Sequence, residues 1–94
     1  MELSDYRAQI DQIDRQLVAL FAQRMNTAAG IAAYKKEHGL PVLDPVRERE
    51  KLLDVAAQAP EDMRDYTASL YTMLFELSRC YQGRLLGSTS PLTT

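Results

Sequence analysis

The stretch SDYRAQIDQIDRQLVALFAQRMNTAAGIAAYKKEH, residues 4–38, contains no proline, and its reading decides the fold. Leu3, Tyr6, Ile10, Ile13, Leu17, Leu20, Ile31 and Tyr34 recur along it at three- and four-residue spacing, the repeat of one helical face. The pattern predicts a single helix with Ser4 as N-cap, Asp5 in its first turn, and a stop at Gly39 and Pro41. About 34 residues at a rise of 1.5 Å make a rod of roughly 50 Å. A compact chain of this size has a radius of gyration of about 12 Å, so the roughly 55 residues that remain cannot cover such a rod. A dimer is expected on that ground alone.

Beyond the rod, Leu40 to Leu43 form a short connector, and Asp44-Pro45 reads as an N-cap followed by the first position of a helix running to about Gln58. Ala59-Pro60-Glu61-Asp62 restarts the chain. Met63, Tyr66, Leu70, Met73, Leu74, Leu77 and Tyr81 then mark a third amphipathic helix reaching about Leu85. The expected fold is all-α, with three helices in the order long, short, long. The tail GSTSPLTT, residues 87–94, is small, polar and proline-bearing, which suits a flexible tail or linker remnant and confines the domain to residues 1–86.

Composition limits what such a domain can do. The chain has 94 residues, of which 46% are apolar and 26% charged, the balance of one ordinary globular domain. Eleven basic and thirteen acidic side chains leave a net charge of −2, so there is no broad cationic field for a nucleic acid or an anionic membrane. Any anionic ligand must be met by a few placed cations. The lone cysteine, Cys80, excludes an internal disulfide and a cysteine metal cluster, and the lone histidine, His38, argues against histidine-metal and Ser-His-Asp chemistry. The opening MELSDYRAQIDQ carries no basic segment followed by an apolar run, which points to the cytoplasm.

The stripe of the first helix is interrupted by Arg24 and Thr27, beside the small run Ala28-Ala29-Gly30. Two readings stand. Arg24 snorkels from the edge of the stripe while the small residues admit a neighbouring helix, or a polar ligand lies there. Lys35, eleven positions on, returns to within about 20° of the same face some 16 Å further along, so the two cations can bracket a small dianion. Arg7 lies about 25 Å from Arg24 on the rod, out of reach of the same ligand. An antiparallel copy of the helix, with a two-fold axis near Leu17 to Ala19, would deliver Arg7 from a second chain and create two equivalent sites. The bland alternative pairs Arg7 with Asp11 on the surface. The run Asp44, Arg47, Glu48, Arg49, Glu50 is either a solvated charged face or a site in which Arg47 meets an anion and Glu48 a hydroxyl, with Asp44 as a cap. Ser78 and Gln82, at i,i+4 beside Leu74, Phe75 and Tyr81, are edge polar groups or neutral donors to an ether or carboxylate oxygen.

Assembled, these residues resemble an all-helical chorismate mutase of the bacterial AroQ class. The resemblance runs from about Leu3 to Arg84. It rests on R-x-x-I-D-x-I-D-x-x-L-V-x-L-F-x-x-R (Arg7 to Arg24), Tyr34-Lys35-Lys36, D-P-V-R-E-R-E (Asp44 to Glu50) and M-L-F-E-L-S-R-x-x-Q (Met73 to Gln82). Any one of these is weak; all four, in order, are specific. The resemblance implies an intertwined homodimer with antiparallel first helices and no cofactor or metal. It places substrate-carboxylate arginines at Arg24 and, from the partner chain, at Arg7, with Arg47 nearby. It places the catalytic lysine at Lys35, the ether-binding glutamine at Gln82, and the hydroxyl-binding glutamate at Glu48 beside Asp44. Ser78 falls near the substrate, and Ile31 and Phe75 line an apolar floor. Lys51 departs from the pattern, since the family often has an apolar residue there; either it points outward or the pocket is more basic. Members are often fused to prephenate dehydratase.

The implied reaction is chorismate to prephenate, which breaks an ether C–O bond while forming a C–C bond and needs neither a nucleophile nor a proton transfer. The three alternatives are an isochorismate-pyruvate lyase, a non-catalytic module that binds chorismate-like effectors or a partner enzyme, and a plain antiparallel helical dimerisation domain in which the polar seam residues are incidental. The Glu48 and Gln82 pair favours the mutase over the lyase, because glutamine meets the ether oxygen without adding a charge. Lys35 and Gln82 together argue against a pure binding module, which would need only the carboxylate clamps.

Overall fold

The computed structural model describes residues 1–85, which fold into α1 (Leu3–Glu37), α2 (Pro45–Gln58), a 3-10 turn (Glu61–Met63) and α3 (Arg64–Leu85). The long, short, long all-α order expected from the sequence is the order found, and no strand occurs among the described residues. The tail assigned to residues 87–94 lies outside the described residues. No helix is long and apolar enough to cross a membrane among the described residues.

The ends of α1 are set by local hydrogen bonds. The helix begins at Leu3, two residues earlier than a Ser4 cap would allow, because Asp5 is then at N3 and its Oδ2 accepts from the Glu2 N–H at 2.9 Å. At the other end Gly39 has φ +67, a left-handed conformation that favours glycine. That turn lets the Leu40 N–H reach the Lys35 carbonyl at 2.7 Å and the Gly39 N–H reach the Lys36 carbonyl at 3.3 Å, a Schellman closure. The chain can then double back into α2. Asp44 caps α2 as the sequence predicts, its Oδ1 accepting from the Arg47 N–H at 3.0 Å, with Pro45 at the first helical position.

α3 packs against both α1 and α2, which meet each other far less. Ala32 of α1, Val55 of α2 and Cys80 and Ser78 of α3 are the buried residues, so the core is small and lies toward the C-terminal end of α1. The rest of the rod stands clear. The molecule is 54 Å long and about half that across, with a radius of gyration of 16.2 Å. Leu3, Tyr6, Ile10, Ile13, Leu17 and Leu20 are all exposed, as are Met63, Tyr66 and Leu70 at the start of α3. An apolar stripe laid out for burial thus finds no cover among the described residues.

Candidate active site

The covered end of α1 carries the polar residues. Arg24 is half-buried, and its Nη1 donates to Ser78 Oγ at 3.2 Å across the α1–α3 contact. Its guanidinium carbon lies 5.6 Å from the ring centroids of both Tyr71 and Phe75. Two aromatic rings and a hydroxyl therefore hold this cation, which does not snorkel from the edge of the stripe into water. Ser78, only 6% exposed, spends its own proton on Met25 Sδ at 3.5 Å. It therefore seats Arg24 rather than presenting a free hydroxyl.

A cavity of ≈ 220 Å³ opens where the three helices meet, and Arg24, Ile31, Arg47, Glu48, Phe75 and Ser78 line it. Six of the ten residues singled out from the sequence share this one space. Lys51 and Arg79 also border it. A second cavity of ≈ 510 Å³ shares Arg24, Ala28 and Ile31 and extends along α1 to Leu20. The charges in the first cavity are unequally committed. Arg79 Nη1 lies 2.6 Å from one oxygen of Glu48 and 2.7 Å from the other, and Lys51 Nζ lies 3.3 Å from Asp54. Among the described residues no ion pair engages Arg24 or Arg47. Two guanidinium groups are thus left for an anionic ligand.

Lys51 answers the alternative posed by the sequence. Its stem lines the cavity while its ammonium turns along α2 to Asp54. Hydrogen bonding from Gln58, and then the Lys51 ammonium, hold the Asp54 carboxyl below the usual carboxylate range. The charged run at the start of α2 is not a purely solvated face either, because Glu48 pairs across to α3 rather than along its own helix.

The other predicted residues stand apart. Lys35 and Asp44 face each other at 4.0 Å in a separate cavity of ≈ 340 Å³ formed with Leu40, Pro41 and Leu43. Gln82 Nε2 donates to the Ala28 carbonyl at 3.3 Å, which marks α3's close approach to α1. That approach falls at Ala28, whereas Gly30, the other small residue of the run, faces open space. Gln82 also lines a cavity of ≈ 450 Å³ with Glu48 and Arg79. Arg7 is on the uncovered half of α1, about 25 Å along the helix from Arg24. It makes no ion pair among the described residues, Asp11 included.

Two residues with evident roles in this geometry drew no assignment from the sequence. Tyr71 sits one turn before Phe75 and faces Arg24 with it, a relation written in the i,i+4 spacing but indistinguishable there from core packing. Arg79 sits inside the S-R-x-x-Q motif, yet its partner on α2 is 31 residues away. No local spacing gives that pairing.

Comparison with known proteins bears on the same residues. The family model described as chorismate mutase type II matches residues 6–83. The T-protein of Haemophilus influenzae is 44% identical over 46 residues, covering 49% of this chain and 12% of that protein. The chorismate mutase of Methanocaldococcus jannaschii is 38% identical over 48 residues, covering 51% of this chain and 48% of that protein. The T-protein of Enterobacter agglomerans is 39% identical over 51 residues, covering 54% of this chain and 14% of that protein. The matched stretch spans less than half the length of each of these relatives. No solved structure matches. With the family model spanning all three helices and the cavity between them, the chain belongs to the chorismate mutase type II family.

Proposed function

We propose that the chain is a chorismate mutase that converts chorismate to prephenate in the cytoplasm, acting as a homodimer with residues 1–86 as the catalytic module. The observation that carries this reading is the cavity between the three helices. It holds two guanidinium groups, Arg24 and Arg47, that no carboxylate among the described residues occupies, beside Glu48 and against the apolar Ile31 and Phe75. A dicarboxylate with a hydroxyl and a hydrophobic ring fits that set of partners.

The reaction asks little of the protein except position and charge. Arginines clamp the carboxylates, and Glu48 accepts from the hydroxyl, which restrains the substrate in the folded conformer that brings the new C–C bond within reach. As the ether C–O bond breaks, negative charge grows on its oxygen. Lys35 and Gln82 meet that charge and bind the transition state more strongly than the ground state. One amide hydrogen of Gln82 goes to the Ala28 carbonyl, and the second is left for the ether oxygen. Asp44 steadies the Lys35 ammonium in the cavity that shares Leu43 with that of Gln82.

The dimer follows from the uncovered stripe. Each large apolar side chain taken fully from water contributes about 1.5–3 kcal/mol, and at least six along α1 remain exposed in one chain. An antiparallel α1 from a second copy covers them and brings the partner's Arg7 to the site that Arg24 begins. The T-protein matches cover a small share of those longer proteins, which suits a module that also works joined to another enzyme, and the family resemblance makes prephenate dehydratase or another shikimate-pathway enzyme the expected partner.

Incubation of the purified chain with chorismate, with identification of the product, tests the reading. Prephenate is expected. Release of pyruvate from isochorismate instead would make the chain a lyase, and binding of chorismate without turnover would make it a regulatory module.

A further inference from the structure

Glu48 and Arg79 form the partition between two spaces. Both residues line the ≈ 220 Å³ cavity that holds Arg24 and Arg47, and both line the ≈ 450 Å³ cavity that holds Gln82. A glutamate at such a boundary has rotamers that point to either side. Arg79 restricts them, since a single guanidinium nitrogen lies within 2.7 Å of both carboxylate oxygens. Contact by one nitrogen leaves each oxygen a lone pair directed away from Arg79, so the carboxylate can still accept from a hydroxyl.

The surrounding charge makes this restraint consequential. Glu48 is the sole acid lining the ≈ 220 Å³ cavity, beside Arg24, Arg47 and Lys51. Without Arg79 the cations that share a cavity with Glu48 are Arg24, Arg47 and Lys51 on one side and Lys36 on the other, and the two arginines are those that the proposed substrate needs. A charge-assisted pair between Glu48 and either arginine would fill its own chain's anion site. We infer that Arg79 is a positioning residue, which holds Glu48 away from Arg24 and Arg47 and aims its carboxylate at the substrate hydroxyl. It touches no reacting atom. The inference rests on the mutase reading above and extends it to a residue outside the set that meets the substrate.

The test is a double-mutant cycle on the full chain with chorismate as the probe, read as KM and kcat separately and accompanied by helical circular dichroism and a melting curve. Arg79→Ala is expected to raise KM about ten-fold, with a smaller fall in kcat, as Glu48 takes up Arg24 or Arg47. In a Glu48→Gln background the same substitution is expected to change KM less than about two-fold, because no carboxylate remains to misplace. Arg79→Lys is expected to restore KM to within about three-fold of the unsubstituted chain, since one ammonium nitrogen can reach both oxygens as the single guanidinium nitrogen does. Should Arg79→Ala lose its helical signal, Arg79→Gln replaces it in the cycle. An unchanged KM with a lowered melting temperature would make the pair a strut between α2 and α3 and overturn the inference. Equal losses in both backgrounds would overturn it too, by showing that Arg79 does not act through Glu48. No turnover by the unsubstituted chain would bring down the mutase reading and this inference together, whereas turnover unaffected by Arg79→Ala removes only the latter.

Discussion

The two halves of α1 are one continuous helix in opposite surroundings. From Leu3 to Leu20 every residue of the apolar stripe is exposed, as Ile31 and Tyr34 still are further on, but from Arg24 onward a neighbouring face of the helix lies on α3, with Ala32 at 2% exposure. The same periodicity therefore does different work along its length. In the covered half it seats cations: Arg24 is fixed by Ser78, Tyr71 and Phe75, and the Ala28 carbonyl takes up Gln82. In the uncovered half it offers a surface long enough for a second copy, with Arg7 carried on it about 25 Å along the helix from Arg24. In the proposed dimer, a rod longer than its own chain can cover would tie assembly to the completion of a site.

If the covered half supplies the chemistry, its substitutions should abolish turnover without touching assembly. Lys35→Ala is the sharpest case. A donor that meets charge developing only in the transition state is typically worth about 100- to 1,000-fold in rate. Loss of kcat on that scale, with an unchanged helical signal and an unchanged dimer by light scattering, is the expected outcome. Near-normal kcat would remove Lys35 from the mechanism and leave its contact with Asp44 a matter of connector geometry.

If the uncovered half completes the site of another chain, Arg7→Ala should also be inactive, yet curable in trans. An equal mixture of Arg7→Ala and Lys35→Ala chains that exchange freely gives hybrids in half of its dimers, and each hybrid owns one intact site of two. About a quarter of the unsubstituted activity is then expected. Complementation is measured after subunit exchange has been shown by tagged chains. No recovery despite exchange would break the division of labour, because Arg7 would then act within its own chain or not at all.

The same contrast separates what was legible in the sequence from what was not. Helix bounds were readable because proline, glycine and capping residues act over one turn: Asp44-Pro45 and Gly39 behave as their chemistry predicts, and only the start at Leu3, which turns on Asp5 reaching back, differs from the simpler Ser4 cap. The cavity lining was readable from spacing joined to family resemblance, and Arg24, Arg47, Glu48 and Ser78 do meet there. Periodicity cannot tell which cations are already taken. That Glu48 answers to Arg79, or that Lys51 turns to Asp54, depends on inter-helix packing and rotamers that no repeat encodes. Periodicity also could not place the close approach of α3, which comes at Ala28 and leaves Gly30 open.

Gly30 gives the comparison its finest test. It sits within the covered half, six residues beyond Arg24 and inside the helix, where glycine costs about 0.8–1.0 kcal/mol relative to alanine because its backbone surrenders more freedom on folding. A Cβ built at Gly30 meets no atom of the chain within 4 Å. Gly30→Ala should therefore stabilise the protein by about 1 kcal/mol in thermal or urea unfolding if the partner's helix also leaves this position open. The gain should be independent of protein concentration, since it comes from the helix alone. A loss of stability that deepens on dilution would instead put the second copy directly against Gly30. The covered interface would then extend about three turns beyond Leu20 toward the site, and the boundary between the assembling and the catalytic halves of α1 would shift with it.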